Sequence, residues 1–378
     1  AKEDHPAYAC GPFAHPDEVL TVMETEEPYA FHMAYFYATN PIAPTVYAEP
    51  ERWYNALMKM DFNAAQDCFM TPTIMGLCDL VLPVSGFAEH DGVVLPHFGR
   101  NTHFLGAMNA ALDPGEARSD LEIDMLVGKR LNPEAWPWES AEEFFNAQIR
   151  TQYDWDFNNL RDMGVFQQNF EYRKYEKGLL RPDGEPGFNT PTGMIEVCSS
   201  IYDDFGEDEL PYFMEPAMSP NSTPDLYEEY PLVLTTGGRD FVSFHSEHRQ
   251  MPTLRSITPD PLVTINPKTA AAHGIKAGDY VCIENPLGKC VERARVSNEV
   301  PERVVHAEHG WWYPEDDPEY PELYGVWKSN INKLVPMYKV GATGYGAPYK
   351  NVLAKIYKVD GYDAAKGAPE SYVPRESR

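Results

Sequence analysis

The chain has 378 residues, a formal net charge of −27 and six cysteines. That charge excludes the basic footprint of a nucleic-acid binder and attachment to an anionic membrane surface. No apolar run approaches the roughly 18 residues that crossing a bilayer takes, and the length predicts two or three domains with ample core.

In chain order, Ala30 to Tyr37 is apolar and aromatic-rich, a strand feeding the loop Ala38-Thr39-Asn40-Pro41. Glu51 to Met60 reads as a helix with Trp53, Leu57 and Met60 at helical spacing, a core face. Phe62 to Phe69 begins as a strand, and Asp67, Thr71 and Thr73 lie in the polar loop at its end. Asp67 fits either a ligand contact or a cap of the following turn. Leu80-Val81-Leu82 reads as a buried strand stopped by Pro83. Strand–helix–strand order with polar loops at strand ends predicts part of a parallel sheet that binds a dinucleotide at its carboxyl edge. Residues 119–165 are expected to be helical, with Leu121, Ile123, Leu126 and Val127 on one face and a second amphipathic run from Ala141 to Leu160. Residues 166–228, rich in Tyr, Pro, Gly and acid, predict an irregular connector, the kind that wraps a surface or lines a channel.

The most informative stretch is residues 231–255. A short apolar strand, Leu232 to Leu234, runs into Thr235-Thr236-Gly237-Gly238, and Arg239, Arg249, Arg255, His245 and His248 follow. Paired glycines take backbone conformations closed to other residues and let a ligand approach the main chain. Consecutive N–H groups in such a turn form an anion nest, to which Arg239 adds a bidentate fork. A glycine turn between strands with solvated arginines is the plainer reading of the same pentapeptide. In an acidic chain a polyanion needs local donors, which gives this basic cluster weight. Beyond it, Leu262 to Ile265 is β-rich, and Asn266-Pro267 reads as a helix cap with proline at the first helical position. Lys268 to His273 is a short helix closed by Gly274. Tyr280 to Glu284 and Cys290 to Val296 are strands separated by the turn Asn285-Pro286-Leu287-Gly288. Short strands with regular turns predict a small β-barrel.

His245, His248, His306 and His309 offer His-x-x-His pairs, but no nearby cysteine or carboxylate completes a tetrahedral set, so no metal ligand is assigned. None of Cys10, Cys68, Cys78, Cys198, Cys282 and Cys290 forms a Cys-x-x-Cys pair; buried free thiols are expected. Trp311 and Trp312 are expected to pack the barrel or shape a substrate funnel, and acidic runs such as Glu315-Asp316-Asp317 and Asp203-Asp204 to be solvated.

The segment Leu234-Thr235-Thr236-Gly237-Gly238-Arg239 with His245 and Arg249, followed by Ile265-Asn266-Pro267, Thr269-Ala270, Gly274-Ile275 and Gly278-Asp279, resembles the C-terminal domain of molybdopterin enzymes of the dimethyl sulfoxide reductase family. Val305-His306-Ala307-Glu308-His309-Gly310-Trp311-Trp312-Tyr313-Pro314 looks like the branch holding thiosulfate and polysulfide reductases, acetylene hydratase, pyrogallol transhydroxylase and catechol dehydroxylases. Gln66-Asp67 with Phe69 and Thr71-Pro72-Thr73, then Cys78 to Pro83 with Glu89 and Gly92, resembles the end of that family's central α/β region. Phe188 to Glu196 is similar to its link into the last domain.

The resemblance implies a fold of α/β plus β class, part of a parallel-sheet dinucleotide-binding region followed by a C-terminal double-psi-type β-barrel. The implied divisions are 1–165 for the partial central region, 166–228 for the connector, 229–365 for the barrel and 366–378 for a tail. It implies a bis-molybdopterin guanine dinucleotide with molybdenum or tungsten, contacted by Asn40, Asp67, Thr71, Thr73, Thr236, Gly237, Gly238, Arg239, His245, Arg249, Asn332, Tyr349 and Lys350. Asn332 lies in Ser329 to Leu334, similar to the family's Asn-x-Leu-Thr turn, with Val335 where threonine is common. Tyr349 and Lys350 close the matching segment Gly346 to Lys350. No catalytic residue is assigned; His245 and Arg249 are the candidates. Relatives carry an N-terminal cysteine cluster for an iron–sulfur centre and a metal-ligating residue. Neither can be located here, so the chain is expected to be the C-terminal portion of a longer catalytic subunit. The whole enzyme would perform reductive atom transfer or dehydroxylation on a small-molecule substrate, fed by an iron–sulfur electron-transfer subunit. A hydratase or transhydroxylase of the same branch, or a separate non-catalytic cofactor-binding module, are the alternatives. Periplasm and cytoplasm both stay open, since a signal region would lie upstream.

Overall fold

A computed structural model describes residues 16–43, 48–94, 104–238, 241–337 and 347–362. Arg239, Gly346, Cys10 and the tail expected at 366–378 lie outside the described residues. Two compact units interleave along the chain: Ala1–Asn63, Met70–Asp79 and Ile201–Arg378 in one, Ala64–Phe69 and Leu80–Ser200 in the other. The fold is mixed α/β with a parallel strand pair and a closed six-stranded barrel.

β1 spans Met33–Tyr37, β2 Phe62–Asp67 and β3 Leu80–Pro83. In the second unit β2 runs parallel to β3, with Ala64 opposite Leu80 and Asp67 opposite Pro83. The expectation of a buried β3 is corrected: Leu80 is 45% exposed. A strand paired along one side only leaves side chains open to water. β4 (Gly92–Val94), β5 (Phe104–Met108) and β6 (Val165–Gln167) form a small antiparallel sheet. Against it pack Ile149, Phe157 and Leu160 with Tyr153, Trp155 and Phe166.

The helix Asp120–Leu131 opens on a reciprocal cap between Ser119 and Glu122. Its buried residues are Ile123, Met125 and Gly128, whereas Leu126 and Val127, expected on the same face as Ile123, are exposed. The indole of Trp136 lies directly on the Gly128 backbone, where a Cβ would collide with it. That contact, more than the count of apolar residues, selects the buried side. The single run expected from Ala141 to Leu160 is two helices, Ala141–Ile149 and Phe157–Met163. Asp156 accepts from the amides of Asn158 and Asn159, a side-chain competition with the backbone that starts a new helix. The connector is largely turns, with short helices at Ser200–Asp204 and Pro224–Glu229.

β7 (Leu232–Gly238), β8 (Leu262–Ile265), β9 (Tyr280–Asn285), β10 (Gly288–Val296), β11 (Val304–Glu308) and β12 (Val352–Lys358) close the barrel in the order β10-β8-β11-β7-β12-β9. β7 is parallel to β11 and antiparallel to β12. The inward set includes Leu234, Val263, Ile265, Ile283, Val305 and Val352, an alternation that fills the interior with branched side chains. The helix Pro267–Ala272 forms where expected: Asn266 accepts from the Lys268 amide and Pro267 sits at the first turn. Trp311 and Trp312 are both fully buried. The thiol expectation holds for Cys282 and Cys290 only; Cys68 and Cys198 are exposed. Asp316 also departs from a solvated run, because it is buried in an ion pair with Lys328. Among the described residues no helix is long and apolar enough to cross a membrane.

Candidate functional site

β7 ends on its glycines, at the same end of the barrel as the carboxyl end of β11. Gly237 has φ of +83°, the left-handed region that glycine enters without penalty. A Cβ there would stand 2.8 Å from the Lys350 ammonium. Lys350 Nζ donates to the Thr236 carbonyl, and the Thr236 amide donates to the Tyr349 carbonyl at 2.8 Å. The segment that follows residue 346 in the sequence is therefore fastened to the glycine turn. At Gly238 the imidazole of His306 occupies the space a Cβ would need. The β7–β11 register shifts between His306 and Glu308, opposite Gly238, so the strand turns aside where the ring packs. Gly238→Ala is expected to force the His306 ring aside and lower the unfolding temperature. A His306→Ala change in the same background should restore it, with a coupling of about 1–2 kcal/mol. Strictly additive effects in a double-mutant cycle would contradict this packing.

A second element faces this turn. His245 and His248 have φ of +54° and +68°, unusual for residues with side chains. The His245 turn is held from several directions. Arg249 Nη2 donates to the His245 carbonyl at 3.1 Å, and its Nη1 donates to Ser243 Oγ at 3.0 Å. Trp312 Nε1 donates to the Ser246 carbonyl at 2.8 Å. Arg249 is buried, with its guanidinium 3.8 Å from the ring centre of Trp311, a stacked cation kept from water. Gly310, at φ of +70°, passes so close that a Cβ would lie 2.7–2.8 Å from the His245 and Ser246 backbone.

The two elements meet through histidines. His309 Nδ1 lies 3.2 Å from the Gly238 carbonyl, and His309 Nε2 lies 2.6 Å from His245 Nδ1. Burial pushes the His309 pKa down to about 4, assisted by the charges of His245, Arg249 and Lys350. His306 is also lowered, first by burial and then by Lys350 and Arg295. Both rings are accordingly neutral at neutral pH.

The other sequence-derived residues are placed as follows. Asn40 joins the His245 turn: its Nδ2 donates to Ser246 Oγ at 3.3 Å, and its Oδ1 accepts from Thr73 Oγ1 at 2.6 Å. Thr73 in turn accepts from the Ile42 amide at 3.2 Å, so its hydroxyl braces the Asn40 loop. Thr71 caps the helix Pro72–Leu77 by accepting from the Ile74 amide at 3.4 Å. Asp67 accepts from the Phe69 amide at 3.0 Å, the local turn weighed for it above. Asn332 is buried, and its carbonyl accepts from the Glu49 amide at 3.2 Å. In the sequence His306 and His309 show only as metal-ligand candidates and as members of the branch motif, and nothing local signals the bracing roles of Ser246, Gly310 and Trp312. Among the described residues no three metal-binding side chains gather.

The site thus offers an ammonium, a buried guanidinium, neutral imidazoles and a glycine cradle that a side chain would fill. These donors and this close main-chain approach suit an anionic ligand with a heteroaromatic end.

Comparison with known proteins bears directly on such a ligand. Residues 232–353 match the model of the molydopterin dinucleotide binding domain, and residues 12–129 match that of the molybdopterin oxidoreductases. The chain is 31% identical over 307 residues to acetylene hydratase of Syntrophotalea acetylenica, covering 80% of this chain and 40% of that protein. It is 30% identical over 383 residues to dopamine dehydroxylase of Eggerthella lenta, covering 81% of this chain and 36% of that protein. The solved acetylene hydratase from Pelobacter acetylenicus superposes with a TM-score of 0.82 at 27% identity, over 92% of this chain and 47% of that one. The chain spans less than half the length of these relatives.

Proposed function

This chain belongs to the molybdopterin oxidoreductases of the dimethyl sulfoxide reductase family, and from that premise we propose that it holds a bis-molybdopterin guanine dinucleotide within a catalytic subunit that reduces or dehydroxylates a small substrate. The observation that carries the proposal is the Gly237–Gly238 cradle at the end of β7, with Lys350 on one side and the His245–His309–Arg249 cluster on the other. The barrel is read as the double-psi type, 229–365, and 1–165 as part of the central region. Thr236, Gly237, Gly238, Arg239, Tyr349 and Lys350 would hold the diphosphate end. His245, Arg249, Asn40 and Asn332 would hold the pterin. Asp67 would contact the guanine, and Thr71 and Thr73 complete the proposed set. The residues fit such a group, because the donors are cationic or N–H and the glycines leave the main chain open.

When bound, the metal–dithiolene group supplies the redox or hydration chemistry, and the protein orients it and tunes its surroundings. Arg249, desolvated over Trp311, keeps fixed positive charge in the site. His245 holds or passes a proton. An iron–sulfur partner would deliver electrons for the reductive reading. The similarity to acetylene hydratase favours a second reading, hydration without net electron transfer.

The test uses the full-length protein, produced anaerobically and assayed for molybdenum, tungsten and guanine nucleotide. Stoichiometric metal and nucleotide are expected. Lys350→Met should lower retained nucleotide about tenfold, as expected for one charge-assisted contact. A protein with neither metal nor nucleotide, or a Lys350→Met variant that retains them fully, would remove the proposal. Turnover of acetylene without reductant, against catechol or oxide reduction with a viologen donor, separates the two readings.

A further inference from the structure

We propose that His306 is a second side-chain contact to the anion held at the Gly237–Gly238 turn, and that its ring takes up a proton from solvent as the anion arrives. The proposal deepens the cofactor-holding reading and rests on it for the identity of the anion, a diphosphate. Each glycine of the turn has a side-chain nitrogen standing where its own Cβ would be. For Gly237 that atom is Lys350 Nζ, and for Gly238 it is His306 Nε2. The imidazole thus stands to Gly238 as the ammonium stands to Gly237.

β11 places the ring. His306 is opposite Thr235 of β7 and Thr264 of β8, and Thr264 is opposite Arg295 of β10. Their strand neighbours Leu234, Val263, Ile265 and Val305 fill the barrel interior, so this row lies on its outer side. There the His306 ring is half-buried, and among the described residues no group hydrogen-bonds either of its nitrogens. Arg295 is engaged elsewhere, by Glu299 at 2.7 Å and by Thr264 Oγ1 at 3.0 Å. A half-buried imidazole with both nitrogens unused is hydrogen-bonding capacity left for a ligand.

The surroundings of the ring fix the sign of the effect. Burial first, then Lys350 and Arg295, oppose its protonation, and Glu299 favours it. His309, which meets the Gly238 carbonyl, is neutral as well. The His306 ring is therefore neutral at neutral pH while the turn is empty. A negative charge within about 4–6 Å of an imidazole favours its cationic form, and a diphosphate also offsets the two cations that oppose the proton. Once protonated, Nε2–H donates to a phosphate oxygen in a charge-assisted bond, roughly twice as strong as a neutral one. Linkage then dictates the pH dependence. Affinity is level below the anion-free pKa, falls by up to about tenfold per pH unit as pH rises toward the anion-bound pKa, and is level again above it.

The probe is diguanosine diphosphate, two guanosines joined at their 5′ oxygens by a diphosphate, which has no proton of its own that titrates near neutral pH. Calorimetric titration of full-length, cofactor-free protein, in two buffers of different ionisation enthalpy, counts the protons taken up per probe bound. Wild type is expected to take up about half a proton or more, and its affinity to fall about tenfold between pH 6 and pH 8. His306→Gln still donates but cannot be protonated. It should bind about tenfold more weakly than wild type at pH 6 and within about twofold of it at pH 8. Zero uptake by wild type alone overturns the proposal, so a variant that fails to fold does not shield it. Equal uptake in both proteins, or an equal loss of affinity at both pH values, overturns it too and leaves the cofactor reading standing. A wild type that binds no probe also overturns it. Guanine nucleotide retained by the anaerobically produced holoprotein then keeps the cofactor reading, and its absence sinks that reading as well.

Discussion

Gly310→Ala is expected to destabilise the barrel unit by about 2–4 kcal/mol and to disorder the His245 turn. Two effects add. The residue has φ of +70°, where a Cβ meets the adjacent carbonyl and strain of about 1–2 kcal/mol follows. The new methyl would also stand 2.7 Å from the His245 carbonyl carbon and 2.8 Å from the Ser246 amide nitrogen. Both are main-chain atoms tied down by Arg249 and Trp312, so they cannot swing away as a side chain would. Gly274→Ala is the control: its φ is +66°, but no atom lies within 4 Å of the added Cβ. Hydrogen–deuterium exchange over residues 241–251 should rise in Gly310→Ala and stay unchanged in Gly274→Ala. If the two variants behave alike, the close approach of Gly310 to the turn has no energetic meaning.

Glu292→Gln is expected to stabilise the protein at neutral and alkaline pH, an unusual outcome for a buried residue. Glu292 is fully buried on β10; its Oε2 accepts from the Glu308 amide at 3.3 Å, and Oε1 has no hydrogen-bond partner among the described residues. Burial, reinforced by the negative charge of Glu308, holds its carboxyl well above the usual carboxylate range. The sign follows from proton linkage. A carboxyl raised in the folded state contributes its full stability below the unfolded pKa of about 4.5. That stability is lost as pH rises toward the folded value, at up to about 1.4 kcal/mol per pH unit. Glutamine is neutral throughout and can still accept from the Glu308 amide. Thermal unfolding from pH 5 to 9 should therefore decline less steeply in Glu292→Gln, with the variant above wild type at pH 8. A variant that is less stable than wild type across that range would show that the carboxylate is ionised and paired in the fold.

Much of the barrel is legible in the chain because its signals are local. Asn266-Pro267 starts a helix through one side-chain contact and one fixed dihedral, and Gly274 ends it; neither needs a distant residue. Strands β8 to β10 alternate or run apolar between turns whose chemistry is equally local. Where a distant contact decides, the reading from sequence fails. Leu126 and Val127 are as apolar as Ile123, yet Trp136 resting on Gly128 turns them outward. Leu80-Val81-Leu82 has the composition of a buried strand but pairs on one side only.

The candidate site divides the same way. Its glycines, histidines and Arg249 are recognisable in 237–249 because a main-chain cradle and fixed cations require those residue types in close succession. Partnership across the chain is another matter. Asn40 reaches Ser246 over 206 positions, and His309 meets His245 over 64. No spacing rule encodes those pairs: the histidine pair depends on β7 and β11 lying parallel in a closed barrel, and the other on the loop after β1 reaching the His245 turn. By itself the sequence determined the local elements, the glycine turn and the class of ligand its donors suit. Tertiary structure alone decided which ring faces which, because only barrel closure brings a carbonyl and two imidazoles within hydrogen-bonding range.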